Sequence, residues 1–205
     1  MIVETRRLER TDYVQVCELM ESRFSTVVEY DKVRHKNFVH FEEDGFEEFK
    51  QKSIANLKEI AFNDFLNPKK PQYRIIGSFD ETGKLMCGIS WEIMSETEWF
   101  WHSIKARECK NNGTKETLTA LFTRVKQLGL HTFYLYTAEY RQPKFEKWLT
   151  KLVPELYGEY ERTTLQTIPA GSFPINQDIP EGRFGRHLPI VNLVHRKATL
   201  KSESK

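Results

Sequence analysis

Between Glu96 and Tyr140 the apolar pattern changes its period twice. "ETEWFWHSIKARE" alternates, with Trp99, Trp101 and Ser103 set to one side and Phe100, His102 and Ile104 to the other, as in a strand. In "ECKNNGTKETLTALFTRVKQLG", residues Leu118, Leu121, Phe122, Val125 and Leu128 recur at helical spacing, and Gly129 stands where a helix ends. "HTFYLYTAEY" is again rich in β-branched and aromatic residues and reads as a strand. A strand, one helix and a strand joined by such short links favour a parallel, right-handed crossover. A polar loop with one glycine opens the helix, and it is either an anion cradle or an ordinary turn.

The flanking chain adds antiparallel pairing. "YRIIGSFDETGKLMCGISWEIM" is two apolar strands about the turn "DETGK", where Gly83 suits a positive φ. "MIVETRRL" reads as a first strand. Thr11 or Asp12 then caps a helix with Val14, Cys17, Leu19, Met20 and Phe24 on its apolar face. "STVVEYDKVRHKNFVHF" follows no period. "EEDGFEEFKQKSIANLKEIAFNDFL" is an amphipathic helix stopped by "NPKKP", with a solvated charged face. "PKFEKWLTKLVPELYGEY" starts a helix at Pro143 that Pro154 ends or kinks, and "RTTLQTIPA" is another strand. Together these give an α/β fold: a central mixed sheet with helices on both faces. Residues 1–169 form this domain, and 170–205 read as an extended arm with one late strand in "LPIVNLVHR".

Composition excludes several classes. Cys17, Cys87 and Cys109 are odd in number and widely spaced, which argues against a disulfide framework or a zinc site. No apolar run reaches the ~20 residues of a membrane span. The N-terminus turns polar within four residues, unlike a signal peptide, so a cytoplasmic location is expected, or a virion assembled in a host cytoplasm. A net charge of +2 does not by itself imply nucleic acid, and no nucleic-acid motif accompanies Arg183, Arg186, His187, His195, Arg196 and Lys197. The aromatic share of 13% is first of all core material, and a pocket or interface lining second.

This order of elements resembles the GCN5-related N-acetyltransferase (GNAT) fold over residues 2–168. The resemblance rests on "MIVETRRLERTDYVQVCELM", the hairpin, "NNGTKETLTALFTRVKQLGLHTFYLYT", and "RQPKFEKWLTKL" followed by "YGEYERTTLQTI". It implies acetyl-CoA as cofactor and an amine-bearing substrate. It assigns the pyrophosphate to Lys110, Asn111, Asn112, Gly113, Thr114 and Lys115, at a helix N-terminus whose N–H groups and dipole favour an anion. The family run is Arg or Gln, two residues, Gly, one residue, then Gly or Ala. Here Lys110 holds the first place, Gly113 the centre and Lys115 the last. Lys115 either pairs with a phosphate or blocks its approach. The family tyrosine that protonates the departing thiolate falls at Leu149, leaving Tyr157 as a substitute about two turns on, and Phe145 replaces a small residue. Glu92, Glu98 and His102 are the candidates for the base, each with an ordinary structural role as its alternative.

Two readings follow. One is an acyl-CoA-dependent N-acetyltransferase with a divergent cofactor loop, whose departures weigh against activity. The other is a non-catalytic GNAT-fold protein acting through protein contacts, resembling virion or assembly components of short-tailed phages, with residues 170–205 meeting the partner.

Overall fold

The computed structural model describes residues 1–34, 45–109, 111–169 and 192–201. These contain β1 (Ile2–Arg7), α1 (Tyr13–Arg34), α2 (Gly45–Ile60), β2 (Tyr73–Asp80), β3 (Leu85–Ile93), β4 (Glu98–Ala106), α3 (Thr114–Gln127), β5 (Thr132–Ala138), α4 (Gln142–Leu152), the single turn α5 (Pro154–Tyr157), β6 (Tyr160–Ile168) and β7 (Leu193–Leu200). The strands lie in the order β1-β2-β3-β4-β5-β7-β6. Only β4 and β5 pair in parallel, as the crossover through α3 requires; the other neighbours are antiparallel.

The hairpin turns at Gly83 with φ +76°, and α3 closes before Gly129 with φ +73°. The late strand of the tail is present as β7, and it lies inside the sheet between β5 and β6. The expected boundary at 169/170 therefore leaves one of the sheet's inner strands on its far side. Lys110, and residues 170–191 and 202–205 of the expected contact segment 170–205, lie outside the described residues.

Each sheet face has its own core. On the α3–α5 face, Trp99 centres an aromatic cluster: its ring lies 4.7 Å from Phe133, 6.0 Å from Trp91 and 6.1 Å from Phe122. Tyr157 and Tyr160 close the cluster. The aromatic share is thus largely core, and such ring pairs add about 0.5–1.5 kcal/mol each beyond burial. On the other face, Leu8, Val16, Leu19, Met20, Ile75 and Leu85 pack under α1, joined by Ala61 and Phe65 from a π-helical turn after α2. On α1, Leu19 and Met20 are buried as expected, but Val16 takes the place of Val14, which is 65% exposed.

One charged joint connects β1 to α1. Arg6 donates to both Asp12 oxygens, Nη1 to Oδ2 at 2.7 Å and Nη2 to Oδ1 at 2.8 Å. The Glu9 backbone N–H also donates to Asp12 Oδ2 at 2.8 Å, within a capping box formed by Glu9 and Asp12. The Arg6 hydrogen bonds, helped by that N–H, hold the Asp12 carboxyl below its ordinary range. Its stabilising effect is therefore complete above an unfolded value of about 4 and lost as pH falls through the folded one. Asp12→Ala should lower the unfolding free energy by about 2 kcal/mol and shallow the acid limb of stability, measured by urea unfolding across pH.

Candidate active site

The parallel ladder between β4 and β5 is short. It runs from Glu98 opposite Thr132 to Trp101 opposite Leu135. Both strands continue, to Ala106 and Ala138, but not together. Beyond Trp101, β4 stays on β3, with Ser103 opposite Ser90 and Ala106 opposite Cys87. Beyond Leu135, β5 stays on β7, with Tyr136 opposite His195 and Ala138 opposite Leu193. Their facing edges diverge around a cleft of about 550 Å³. Phe145 and Trp148 of α4 line it without filling it, with Phe145 lying 5.7 Å from the Trp101 ring. Arg141 and Lys144 add positive charge to its wall.

A bulge shapes the same place. Trp91 pairs with Trp101 and Ser90 with Ser103, so β4 carries one extra residue at His102. The simple alternation expected from sequence therefore breaks. Ile104 joins the Trp99 and Trp101 face. Ser103 turns to the α1 face, where its hydroxyl meets that of Ser90 at 2.7 Å.

The bulge also joins two residues that sequence reasoning treated apart. Glu92 Oε2 lies 3.1 Å from His102 Nε2, and Glu92 is only 3% exposed. With Nε2–H donating to the carboxylate, the lone pair sits on Nδ1. The pair stands among aromatic rings: Phe65 and Phe100 lie 5.0 and 4.8 Å from the imidazole. Tyr136 lies 5.7 Å from Phe100 and stacks on His195 at 4.4 Å. Glu98 is elsewhere, accepting a 2.8 Å hydrogen bond from Tyr134. Tyr136 lines the cleft, and burial raises its phenol well above the ordinary range. Sequence reasoning missed it; the signal was an aromatic residue near the C-terminal end of the second crossover strand.

Tyr157 does not reach the cleft. It is 1% exposed within the core of the α3–α5 face, its phenol pushed up to about 12 chiefly by burial. The two-turn offset assumed an unbroken helix. The chain breaks at Val153, with φ −136° and ψ 58°, and Pro154 starts a separate turn. Leu149 is buried in the same core.

The loop before α3 keeps a helix start with two left-handed residues, Asn111 at φ 57° and Gly113 at φ 74°. Asn112 Oδ1 accepts from the Thr114 hydroxyl at 2.6 Å, and the Asn112 amide donates to the Arg107 carbonyl at 3.0 Å. The first i to i−4 bond runs from the Thr117 N–H to the Gly113 carbonyl, so the N–H groups of Lys115 and Glu116 have no intrahelical acceptor. A Cβ on Gly113 would stand 2.7 Å from Ser78 Cβ, so packing on β2 already demands glycine. Lys115 is exposed and lines the groove beside β2, not the β4–β5 cleft.

The basic tail residues are spent inside the sheet. Arg196 Nη2 pairs with Glu146 at 3.0 Å, Lys197 sits 5.8 Å over the Tyr134 ring, and His195 is buried. Arg183, Arg186 and His187 lie outside the described residues. Among the described residues no His, Cys, Asp and Glu group can hold a metal, and no helix is long and apolar enough to cross a membrane.

No family model and no curated protein matches the sequence. Solved structures do. The PaiA N-acetyltransferase of Thermoplasma acidophilum, in complex with coenzyme A, aligns with a TM-score of 0.60 at 14% identity, covering 96% of this chain and 98% of that one. The ribosomal-protein-S18-alanine N-acetyltransferase of Escherichia coli aligns at 0.53 and 12%, covering 100% and 98%. A GCN5-related N-acetyltransferase of Kribbella flavida aligns at 0.52 and 12%, covering 96% and 97%. These likenesses, over nearly the whole of each chain, show the fold: the chain has the GCN5-related N-acetyltransferase fold.

Proposed function

We propose that the chain is an acyl-CoA-dependent N-acetyltransferase whose cofactor enters between β4 and β5. The observation that carries this reading is the parallel ladder ending at Trp101 and Leu135 while both strands run on. The inner edges of 102–106 and 136–138 then offer backbone donors and acceptors to an extended, amide-bearing chain, as a sheet edge does to an added strand.

The residues present fit such a cofactor. The N–H groups of Lys115 and Glu116 supply a helix N-terminus for phosphate oxygens, and Arg141 and Lys144 supply charge in the cleft wall. Lys115, feared as a block, sends its side chain to the other flank. Lys110, Asn111, Asn112 and Thr114 are proposed to shape the loop. Bound acetyl-CoA would supply the thioester acyl group.

The amine substrate approaches on the α1–α2 face. His102 Nδ1 takes the proton from the amine, with Glu92 fixing the tautomer and stabilising the imidazolium. Tyr136, held protonated by burial and with its hydroxyl out of solvent contact, would replace the missing helix tyrosine as donor once its side chain turns toward the cleft. Glu98 and Tyr157 have structural roles. The phage virion alternative finds no support in the structural neighbours, and the segment expected to make its contacts lies largely outside the described residues.

Acetyl-CoA should bind with a Kd near the micromolar range, about 8 kcal/mol, in isothermal calorimetry. Ala138→Trp should abolish the heat, and no heat in wild type at millimolar ligand would overturn the reading. In a thiol-release assay over a panel of amines, Glu92→Gln and His102→Gln should each lower kcat by about 10²-fold or more with the acetyl-CoA Kd unchanged.

Lys105, on β4 beside the cleft, gives a pH test. Burial, with Arg23 and Arg141 nearby, pulls its ammonium down to about 8 from 10.5. Between those values the unfolded chain holds more protons at this residue, so its contribution to stability rises with pH. Chemical unfolding should show that rise between about pH 8 and pH 10.5 in wild type, and Lys105→Met should flatten it.

A further inference from the structure

A second concavity lies away from the β4–β5 cleft. It runs along α3 beside β1 and β2, with a volume of about 810 Å³, within the range of small-molecule sites. Arg7, Arg74, Lys115 and Arg124 line it, against one carboxylate, Glu116. Several cations elsewhere are paired: Arg6 with Asp12, Lys58 with Glu21, Lys126 with Glu159, Arg162 and Arg196 with Glu146. None of the four groove cations has a carboxylate within 4.0 Å among the described residues.

The groove cations are also held near one another. Arg74 Nε donates to the Pro71 carbonyl at 2.9 Å, and its guanidinium carbon lies 5.3 Å over the Trp91 ring. These contacts fix the plane and leave both Nη groups without a protein acceptor. Burial, and then the charges of Arg7 and Arg124, depress the Arg74 guanidinium from its ordinary value. Arg124 has only a long 3.4 Å contact from Nη1 to Gln127. Three guanidinium groups gathered in a groove with one carboxylate, Glu116, and no ion pair to it are an electrostatic cost that a bound anion lowers. Their planar forks match the oxygens of phosphate better than a point charge does. Ile76 and Ala120 give the same groove an apolar wall.

We propose that this groove binds a phosphate-bearing small molecule, its phosphates on Arg7, Arg74 and Arg124 and its body along α3. Its three arginines take no part in the acyl-transfer reading, although Lys115 and Glu116 border both sites.

The test is calorimetric titration of the full chain with inorganic pyrophosphate and, separately, with ADP, at about 50 mM salt. Each titration is run with and without coenzyme A, so that anion sites of the β4–β5 cleft are filled in one arm. The proposal expects saturable binding at about 0.1 mM or tighter that survives coenzyme A. Arg7→Gln and Arg124→Gln, both at exposed positions, should each weaken it about tenfold with the melting temperature unchanged. Arg74→Lys keeps the charge and loses the fork, and should weaken it as well. Tighter binding of ADP than of pyrophosphate supports a nucleotide; equal binding supports phosphate chemistry alone. No binding at 10 mM of either probe, displacement of both by coenzyme A, or equal affinity in wild type and in the Arg7→Gln/Arg124→Gln double variant overturns the proposal.

Discussion

Two neighbouring strands that share four residue pairs and then part set the geometry of this molecule. A parallel pair in mid-sheet normally runs on, since each broken rung exposes a donor and an acceptor. Here each strand has another partner to follow. β4 remains on β3 to Ala106, and β5 remains on β7 to Ala138. Phe145 and Trp148 prop the opening from α4, while the Trp99 cluster locks the paired half beneath it. The result is a sheet with a gap between β4 and β5. The gap, the bulge at His102 and the start of α3 all lie near the end of β4.

The bulge turns separate residues into chemistry. Without the extra residue, strict alternation would carry Ser103 to the side of Trp99 and Trp101. With it, Glu92 and His102 share a hydrogen bond on the α1 face, among Phe65, Phe100 and Tyr136. Those rings limit water around the pair, which strengthens its electrostatics. The gap and the pair occupy one stretch of β4.

Much of the fold was legible because it is written in local period. The switch from two to 3.6 residues and back across Glu96–Tyr140 forced a parallel crossover, and Gly83 marked the hairpin. What was not legible depends on partners distant in sequence. β7 carries the charged run His195, Arg196 and Lys197, which reads as surface or anion-binding. Its burial needs Glu146 on α4 and the rings of Tyr134 and Tyr136 on β5. The bulge is a one-residue offset that alternation cannot reveal. Pro154 does end the helix, as read, but Tyr157 was placed by counting helical turns across that break, and the backbone at Val153 sends it into the core. Lys115 was read as facing the phosphate, yet its position along α3 sets it against β2. Glu92 and His102 were visible as residue types but not as a pair.

The central claim is that the parting of β4 and β5 is a binding site and not a packing accident. Hydrogen-exchange mass spectrometry of the full chain with and without acetyl-CoA tests it most directly, because amides on unpaired inner edges exchange readily. Slower exchange on bound ligand, concentrated in residues 102–106 and 136–138 and at the start of α3, is the predicted result. Unchanged exchange in those segments at millimolar acetyl-CoA would contradict it.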